Sequence, residues 1–344
     1  MSEVSILKVI DLPSPYLLFL GDTTEPGYAK TAFGLRDWAP ERCVGEWSCM
    51  GATVTTGLAR LTPREAFAGG AKALVIGVAN SGGVISEPWI PALTEALEAG
   101  LDLISGMHAK LAGIPRLKET ADRYGRRLID VRTPPSNIPI ASGRKRSGRR
   151  LLTVGTDCAI GKKYAALALA RAFAERGAAV HFRATGQTGI LIAGGGLPMD
   201  SVVADFEAGA AELLSPDAPA RHWDVIEGQG SLFHPAYAAV SLGLLHGSQP
   251  DLIVVCHDPS RSYMLGYPDY PMPDIAETME LNLALGARTN PAIRCAGVSL
   301  NTSSLAADVA AELLAHESER LGCPVADPMR AGAHFERLVD ACLA

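Results

Sequence analysis

The seven cysteines of this 344-residue chain form no C-x-x-C pair and are odd in number. The sequence therefore offers neither a disulfide framework nor the ligand spacing of a zinc site. No apolar run approaches the roughly 18 residues of a membrane-spanning helix. The first residues, MSEVSILKVIDLPSP, lack the apolar core of a signal peptide. These absences predict a protein of the reducing cytoplasm without a membrane segment.

Aromatic and charged residues are also sparse, at 6% and 20% of the chain. The formal net charge of −6 disfavours a nucleic-acid-binding protein. The sequence contains no internal repeat and no low-complexity segment. Hydrophobic residues, at 48%, are sufficient for a large core, and the length suggests two domains. Abundant Ala and Gly with a modest net charge favour α/β domains that assemble into a homo-oligomer.

Short apolar runs predict a parallel α/β domain over residues 1–132. The runs lie at 16–22, 71–80, 101–107 and 127–132, and helical patterns separate them. Strands that alternate with helices indicate a parallel sheet. A Pro-, Ser- and Gly-rich stretch at 133–149 then predicts a linker.

A second α/β domain is predicted over residues 150–344. It begins with a strand at 150–156, and a helix at 162–177 closes on Gly177 as its C-terminal cap. Further strands are predicted at 179–185, 223–228, 251–257, 295–301 and near 323–328. Two interpretations of the basic end of the linker remain open, namely a solvated connection or a collar that attracts anions. Its basic residues are Arg144, Lys145, Arg146, Arg149 and Arg150.

The stretch GTDCAIGKK at 155–163 resembles the phosphate-binding loop G-x-x-x-x-G-K-[ST]. Gly161 and Lys162 are in place, while Thr156 replaces the first Gly. A strand precedes the stretch and a helix follows it, so backbone N–H groups and the helix N-terminus are expected to form an anion site. The expected contacts to a cofactor come from Gly155, Thr156, Asp157, Cys158, Ala159, Ile160, Gly161, Lys162 and Lys163.

Lys163 replaces the Ser or Thr that ligates Mg²⁺ in nucleotide hydrolases. An ammonium group has no lone pair for a metal. The substitution favours a ligand whose phosphates are held without a metal, and no metal is assigned to the chain.

Polar residues cluster where other predicted strands end, and ligands of open parallel sheets bind there. Gln187, Thr188 and Asp205 are expected to bind substrate. Glu227 ends an apolar strand at a Walker B-like position and is compatible with metal binding, general-base catalysis or orientation of the loop. Gln229, Ser231 and His234 follow it in GQGSLFHP. Arg261 is expected to clamp a carboxylate, and Asn301 is expected to contact a purine edge.

These stretches together resemble a family long described as uncharacterised P-loop proteins, to which D-glutamate N-acetyltransferases belong. The resemblance rests on GDTTEPGYAKTAFGL, ANSGG, GTDCAIGKK, ATGQTGILIAG, VVADFEAGAAE, VIEGQGSLFHPAY and LNTSS, in order along nearly the whole chain. It implies an N-terminal Rossmann-like domain, a C-terminal P-loop domain and acetyl transfer from acetyl-CoA to D-glutamate. The loop domain is also similar to dethiobiotin synthetase, from which the chain departs at Lys163.

We therefore expect direct acetyl transfer, with the phosphates of the coenzyme anchored in the loop. The substrate ammonium must lose a proton before it attacks, so the reaction needs a general base. Glu227 is the first choice for that base and His234 the second. Gln229, Ser231 or backbone N–H groups are expected to stabilise the oxyanion. Cys158 as an acyl carrier is the less favoured route.

Two other functions remain open from the sequence. An ATP- and Mg²⁺-dependent ligase or kinase, as in dethiobiotin synthetase, requires acidic metal ligands, for which Asp157, Asp205 and Glu227 are available. A non-enzymatic nucleotide-binding protein requires ligand binding without turnover.

Overall fold

The structure is a computed structural model and describes residues 12–344. The chain divides into two compact units. The N-terminal unit comprises the described residues up to Pro134 together with Gln187–Pro198. The C-terminal unit comprises Pro135–Gly186 and Met199–Ala344. No helix in the described part of the chain has the length and apolar character to span a membrane.

A five-stranded parallel sheet forms the centre of the N-terminal unit, in the order β2-β1-β3-β4-β5. Its strands are β1 Tyr16–Phe19, β2 Cys43–Trp47, β3 Ala73–Ile76, β4 Asp102–Ser105 and β5 Leu128–Asp130. The helices between them are α1 Lys30–Trp38, α2 Pro63–Ala68, α3 Ile90–Glu98 and α4 Pro115–Tyr124. β1, β3 and β4 are fully buried, as their apolar runs predict.

A six-stranded parallel sheet forms the centre of the C-terminal unit, in the order β13-β12-β9-β6-β8-β7. The strands of this unit are β6 Arg149–Gly155, β7 Val180–Arg183, β8 Trp223–Ile226, β9 Leu252–His257, β10 Tyr263–Met264, β11 Tyr267–Pro271, β12 Arg294–Leu300 and β13 Val325–Ala326. β10 and β11 form a separate antiparallel hairpin. The two sheets confirm the predicted α/β fold class.

The helices that follow the linker along the chain are α5 Lys162–Glu175, α6 Gln187–Ala193, α7 Glu207–Leu214, α8 Ala238–Ser248, α9 Ile275–Gly286, α10 Ala307–Leu321 and α11 Ala333–Leu343. The Ala- and Leu-rich α5 packs on the sheet through residues that include Phe173, whose ring lies edge-on to Trp223 at 5.3 Å. After α5, the chain adds strands on one side of β6 and later crosses to the other side. The carboxyl end of β6 is therefore the topological switch point, where open parallel sheets bind ligands.

The helix α6 corrects the predicted domain boundary. The sequence placed residues 187–198 in the C-terminal domain, whereas the structure packs them into the N-terminal unit. Within that unit, the Thr188 hydroxyl lies 2.9 Å from the Thr31 hydroxyl. Gln187 lies against Gly106, where an added Cβ would be 1.7 Å from its Oε1. Gln187 and Thr188 are thus engaged by the N-terminal unit instead of the loop domain.

Arg146 in the linker and Arg150 in β6 are buried in the C-terminal unit, so neither a solvated connection nor a collar that attracts anions describes them. Arg150, 1% exposed, donates to the Ser215 hydroxyl and to several backbone carbonyls. Arg146 donates to the carbonyls of Ser215 and Gly247, both at 2.7 Å. Burial lowers the pKa of Arg146 to about 10. Arg150 lies at the start of β6, at the opposite end of the strand from the loop, so these arginines cap backbone groups instead of attracting a ligand.

Candidate active site

The loop between β6 and α5 has the backbone of an anion site. Gly161 precedes the helix at φ +110°, and Ala159 also has a positive φ of 52°. Thr156 and Asp157 are fully buried, while Ala159 is exposed. Ile160 packs with Cys256 and so fixes the loop to β9. This strand-loop-helix arrangement is the one that the sequence predicted.

Lys162 is folded back onto the loop. Its side chain is 6% exposed, and Nζ donates to the backbone carbonyl of Asp157 at 2.6 Å. Burial is the main cause that lowers the pKa of this ammonium. A phosphate bound in the loop would offer stronger, charged acceptors to the same group.

The Asp157 carboxylate connects the loop to the β10–β11 hairpin. It accepts the backbone N–H of Cys158 at 2.6 Å and that of Leu265 at 2.8 Å. The guanidinium of Arg261 adds a bond of 3.1 Å. Because Asp157 is buried, these donors compensate for the loss of water around its charge. Asp157 thus holds the loop in shape.

Arg261 is held against the loop, and its predicted contact with a substrate carboxylate stays a prediction. Besides Asp157, its guanidinium donates to the carbonyl of Cys158 at 2.9 Å and to that of Ala159 at 2.8 Å. These contacts use three of the five N–H donors of the guanidinium. The structure therefore makes Arg261 a clamp on the loop, which positions the anion site.

Glu227 follows β8 beside the loop, at the position expected from the sequence. Its Oε2 accepts the backbone N–H groups of Thr185 at 3.0 Å and Gly186 at 3.1 Å. Burial raises the pKa of Glu227, and the charge of Lys163 opposes that rise. A carboxylate whose pKa lies above its usual range, held by fixed backbone donors, suits a general base that works near neutral pH.

Gly228 allows the Glu227 segment to approach β6 closely. Its N–H donates to the Thr153 hydroxyl at 3.0 Å. An added Cβ would lie 1.6 Å from the Thr153 carbonyl oxygen and 3.1 Å from Cδ of Lys162. No side chain fits without displacement of the strand or the loop.

We expect Gly228→Ala to destabilise the protein by about 1–3 kcal/mol or more, as overpacked sites do. Urea or thermal unfolding measures the loss. Gly113→Ala is the control, because nothing lies within 4 Å of its added Cβ. Equal stability of the two variants would contradict the close approach.

The two side chains predicted to donate to the oxyanion differ in whether a proton is still available for that hydrogen bond. The Ser231 hydroxyl donates to the Thr156 carbonyl at 3.0 Å, so its proton is already used by the loop. Gln229 donates from Nε2 to the Thr185 hydroxyl at 2.9 Å. An amide nitrogen carries two protons, so the second N–H of Gln229 is available to a ligand.

The imidazole of His234 lies beside the Asp157 carboxylate. The backbone N–H of Ala236 donates to its Nδ1 at 3.1 Å, so the neutral ring carries its proton on Nε2. Nε2 is buried, lacks a hydrogen-bond partner among the described residues and lies 3.7 Å from Oδ1 of Asp157. Burial lowers the pKa of the imidazole and keeps it neutral. The general-base role of His234 stays a prediction, and the engagement of Nδ1 by the backbone makes Glu227 the better candidate.

Cys158 is a poor acyl carrier in this setting. The side chain is half-buried, and burial raises the pKa of its thiol. A thiol that stays protonated is a weak nucleophile. The acyl-carrier route, already the less favoured one, is weakened further.

The P-loop architecture implies Mg²⁺, and the protein donors do not fit it. Among the described residues, two groups bring possible ligand atoms within 4.8 Å of one another: Asp157 with Cys158 and His234, and His181 with His222 and Asp224. Both carboxylates are already bound by arginine, namely by Arg261 and Arg183. Glu227 belongs to neither group, and Lys163 replaces the loop hydroxyl.

Asn301 and Asp205 are the remaining predicted residues. Asn301 donates to Asp258 at 3.1 Å and accepts from the Ser303 backbone, which fixes the turn after β12. Asp205 is exposed in a short 3-10 helix.

The β10–β11 hairpin, which contacts the loop through the backbone of Leu265, was not predicted from the sequence. The stretch SYMLGYPDYP nevertheless contains a turn signal for it. Gly266, at φ +80°, connects two tyrosine-containing strands. Tyr267 lies edge-on to His234 at 4.9 Å, and Tyr237 stacks on the same ring at 4.6 Å. A cavity of about 360 Å³ lies beside the hairpin and is lined by residues that include His257, Arg261, Asp274, Leu300 and Arg320.

Comparison with known proteins agrees with this architecture. Residues 41–134 match the family model described as the Rossmann-like domain of unknown function DUF1611_N, and residues 139–339 match the P-loop domain DUF1611_C. The chain belongs to the DUF1611 family. A crystal structure of a DUF1611 family protein from Anabaena variabilis has a TM-score of 0.84 at 34% identity, covering 95% of this chain and 98% of that one. The predicted Rossmann-like and P-loop domain types are confirmed.

Two curated relatives have named activities. A D-glutamate N-acetyltransferase of Tritonibacter scottomollicae is 50% identical over 333 residues, which cover 97% of this chain and 99% of the relative. A D-glutamate N-acetyltransferase of Pseudoalteromonas sp is 49% identical over 323 residues, covering 94% and 97%. These relatives confirm the family resemblance drawn from the motifs.

Proposed function

We propose that this chain is an N-acetyltransferase that moves the acetyl group of acetyl-CoA to the amine of D-glutamate. The observation that carries the proposal is the 50% identity, over 97% of the chain, to a protein with that named activity. The P-loop unit supports the proposal because its loop offers a place for the phosphates of acetyl-CoA. Acetyl transfer requires that co-substrate but leaves its phosphates intact.

The loop is proposed to hold the pyrophosphate of acetyl-CoA. Backbone N–H groups at the start of α5 point to the loop, and Lys162 and Lys163 add positive charge. The cavity beside the hairpin shares Arg261 with the loop clamp, and it offers room for another part of the coenzyme.

Glu227 is proposed to remove the proton from the substrate ammonium. The neutral amine then attacks the thioester carbonyl, and the C–S bond breaks while the acetyl group stays on nitrogen. The second proton that leaves this nitrogen passes to the sulfur, so coenzyme A leaves as the thiol, and Glu227 releases the first proton to water. Gln229 would donate its second N–H to the oxyanion.

The substrate assignment is tested by thiol release from acetyl-CoA with a panel of D-glutamate, L-glutamate, D-aspartate and D-glutamine. We expect the highest kcat/KM for D-glutamate. Equal rates with every amino acid, or a preference for L-glutamate, would overturn the assignment.

We also propose that the protein acts as a cytoplasmic homo-oligomer with an acidic D-amino acid as its small-molecule partner. The scattered cysteines and the Ala- and Gly-rich composition support this proposal. Light scattering of the purified chain tests the assembly, and a monomer at micromolar concentration would refute it.

A further inference from the structure

In metal-dependent P-loops, the divalent cation is held between the loop hydroxyl and the substrate phosphates, near the carboxylate at the Walker B position. In this chain, Glu227 provides the carboxylate at the Walker B position, and the ammonium of Lys163 takes the place of the loop hydroxyl. Lys163 is the second residue of α5 and directly follows the phosphate lysine. Its Nζ lies 4.3 Å from the centre of the Tyr164 ring, which gives the ammonium an additional cation–π contact.

Glu227 faces this region from the neighbouring strand. β8 pairs directly with β6, and an added Cβ at Gly228 would lie 1.6 Å from the Thr153 carbonyl oxygen of β6 and 3.1 Å from Cδ of Lys162. The charge of Lys163 is the largest of the influences that lower the pKa of Glu227. The two positions that would hold the metal thus carry an ammonium and a carboxylate in this chain.

We propose that the ammonium of Lys163 replaces the divalent cation, so that the loop binds the pyrophosphate of its ligand without Mg²⁺. An ammonium has three donors, so it can serve both a phosphate oxygen and Glu227. The inference rests on the proposed function for its choice of ligand, coenzyme A. It assigns to one residue the difference between this loop and a nucleotide-hydrolysing one.

The pairing has a consequence for catalysis as well. Burial favours the protonated form of Glu227, and Lys163 opposes this by stabilising the carboxylate. A neutral residue at position 163 should therefore raise the pKa of Glu227 and move the acidic limb of the kcat profile to higher pH.

The test is titration calorimetry of coenzyme A into the wild-type protein, in EDTA and in millimolar Mg²⁺. We expect the same Kd in both buffers. A Kd that becomes at least tenfold tighter with Mg²⁺, or the absence of any binding, would overturn the inference.

Three variants at the same position sharpen the test. Lys163→Ala should weaken coenzyme A binding by about tenfold to a hundredfold, the range for a lost hydrogen bond to a charged group. Lys163→Arg should retain most of the affinity because it keeps the charge. Lys163→Thr restores the loop hydroxyl and should bind more tightly in Mg²⁺ than in EDTA. Far-ultraviolet circular dichroism confirms that each variant is folded, and equal binding by all three would contradict the proposal.

The acetyl-transfer assay, run in the same two buffers, separates this inference from the proposed function. If coenzyme A binds independently of Mg²⁺ but no acetyl transfer occurs with D-glutamate, the function is wrong and the role of Lys163 stands. If transfer occurs but binding and turnover require Mg²⁺, the function stands and the role of Lys163 is wrong.

Discussion

Replacement of Glu227 by Gln should lower kcat by about 10²–10⁴-fold, the contribution typical of a general base. The amide oxygen can still accept the N–H groups of Thr185 and Gly186, so the loop geometry should survive. Only the ability to take a proton is lost. Steady-state kinetics with calorimetric binding of acetyl-CoA measure the effect, and the Kd for acetyl-CoA should change little.

Two further measurements decide whether Glu227 acts as the base. The wild-type kcat should fall as the pH drops through the raised pKa of Glu227, because the protonated carboxyl cannot accept a proton. That acidic limb should vanish in Glu227→Gln. The exposed Glu175, near the far end of α5, provides the matched control Glu175→Gln, which should behave as wild type. A Glu227→Gln variant with near wild-type turnover would remove Glu227 from the mechanism.

Replacement of Lys162 by Met should raise the KM for acetyl-CoA by about tenfold to a hundredfold, since one charged hydrogen bond to phosphate is lost. Met keeps much of the buried aliphatic volume beside Gly228 but removes the ammonium. The rate at saturating acetyl-CoA should fall much less, because the anchor holds the ground state and the transition state alike.

Lys162→Arg is the charge-retaining comparison for this effect. A KM that is unchanged in Lys162→Met would show that the phosphates of acetyl-CoA bind elsewhere. A fall in kcat with constant KM would instead place Lys162 near the reacting thioester.

The loop and the two sheets could be predicted because their signals are local. Gly161 and Lys162 lie between a buried apolar strand and an Ala-rich helix, and both neighbours form as expected. β2 was missed because CVGEW has no continuous apolar run, and three of its five residues are only half-buried. β2 is the edge strand of this sheet, and its pairing with β1, not its own composition, makes this segment a strand.

The roles of the site residues depend on contacts between distant parts of the chain. Arg261 meets Asp157 across 104 residues, so its function as a loop clamp has no local signal. The tautomer of His234 is set by a backbone N–H two residues later, which only the folded turn reveals. The buried environment of Arg146 and Arg150 likewise arises from carbonyls on other elements.

The most direct test of the account is mass spectrometry of a reaction that contains the protein, D-glutamate and acetyl-CoA, with EDTA and without ATP. The account predicts N-acetyl-D-glutamate and free coenzyme A in equal amounts. No acetylated product under these conditions, or a product that forms only with ATP and Mg²⁺ and is accompanied by ADP, would contradict it.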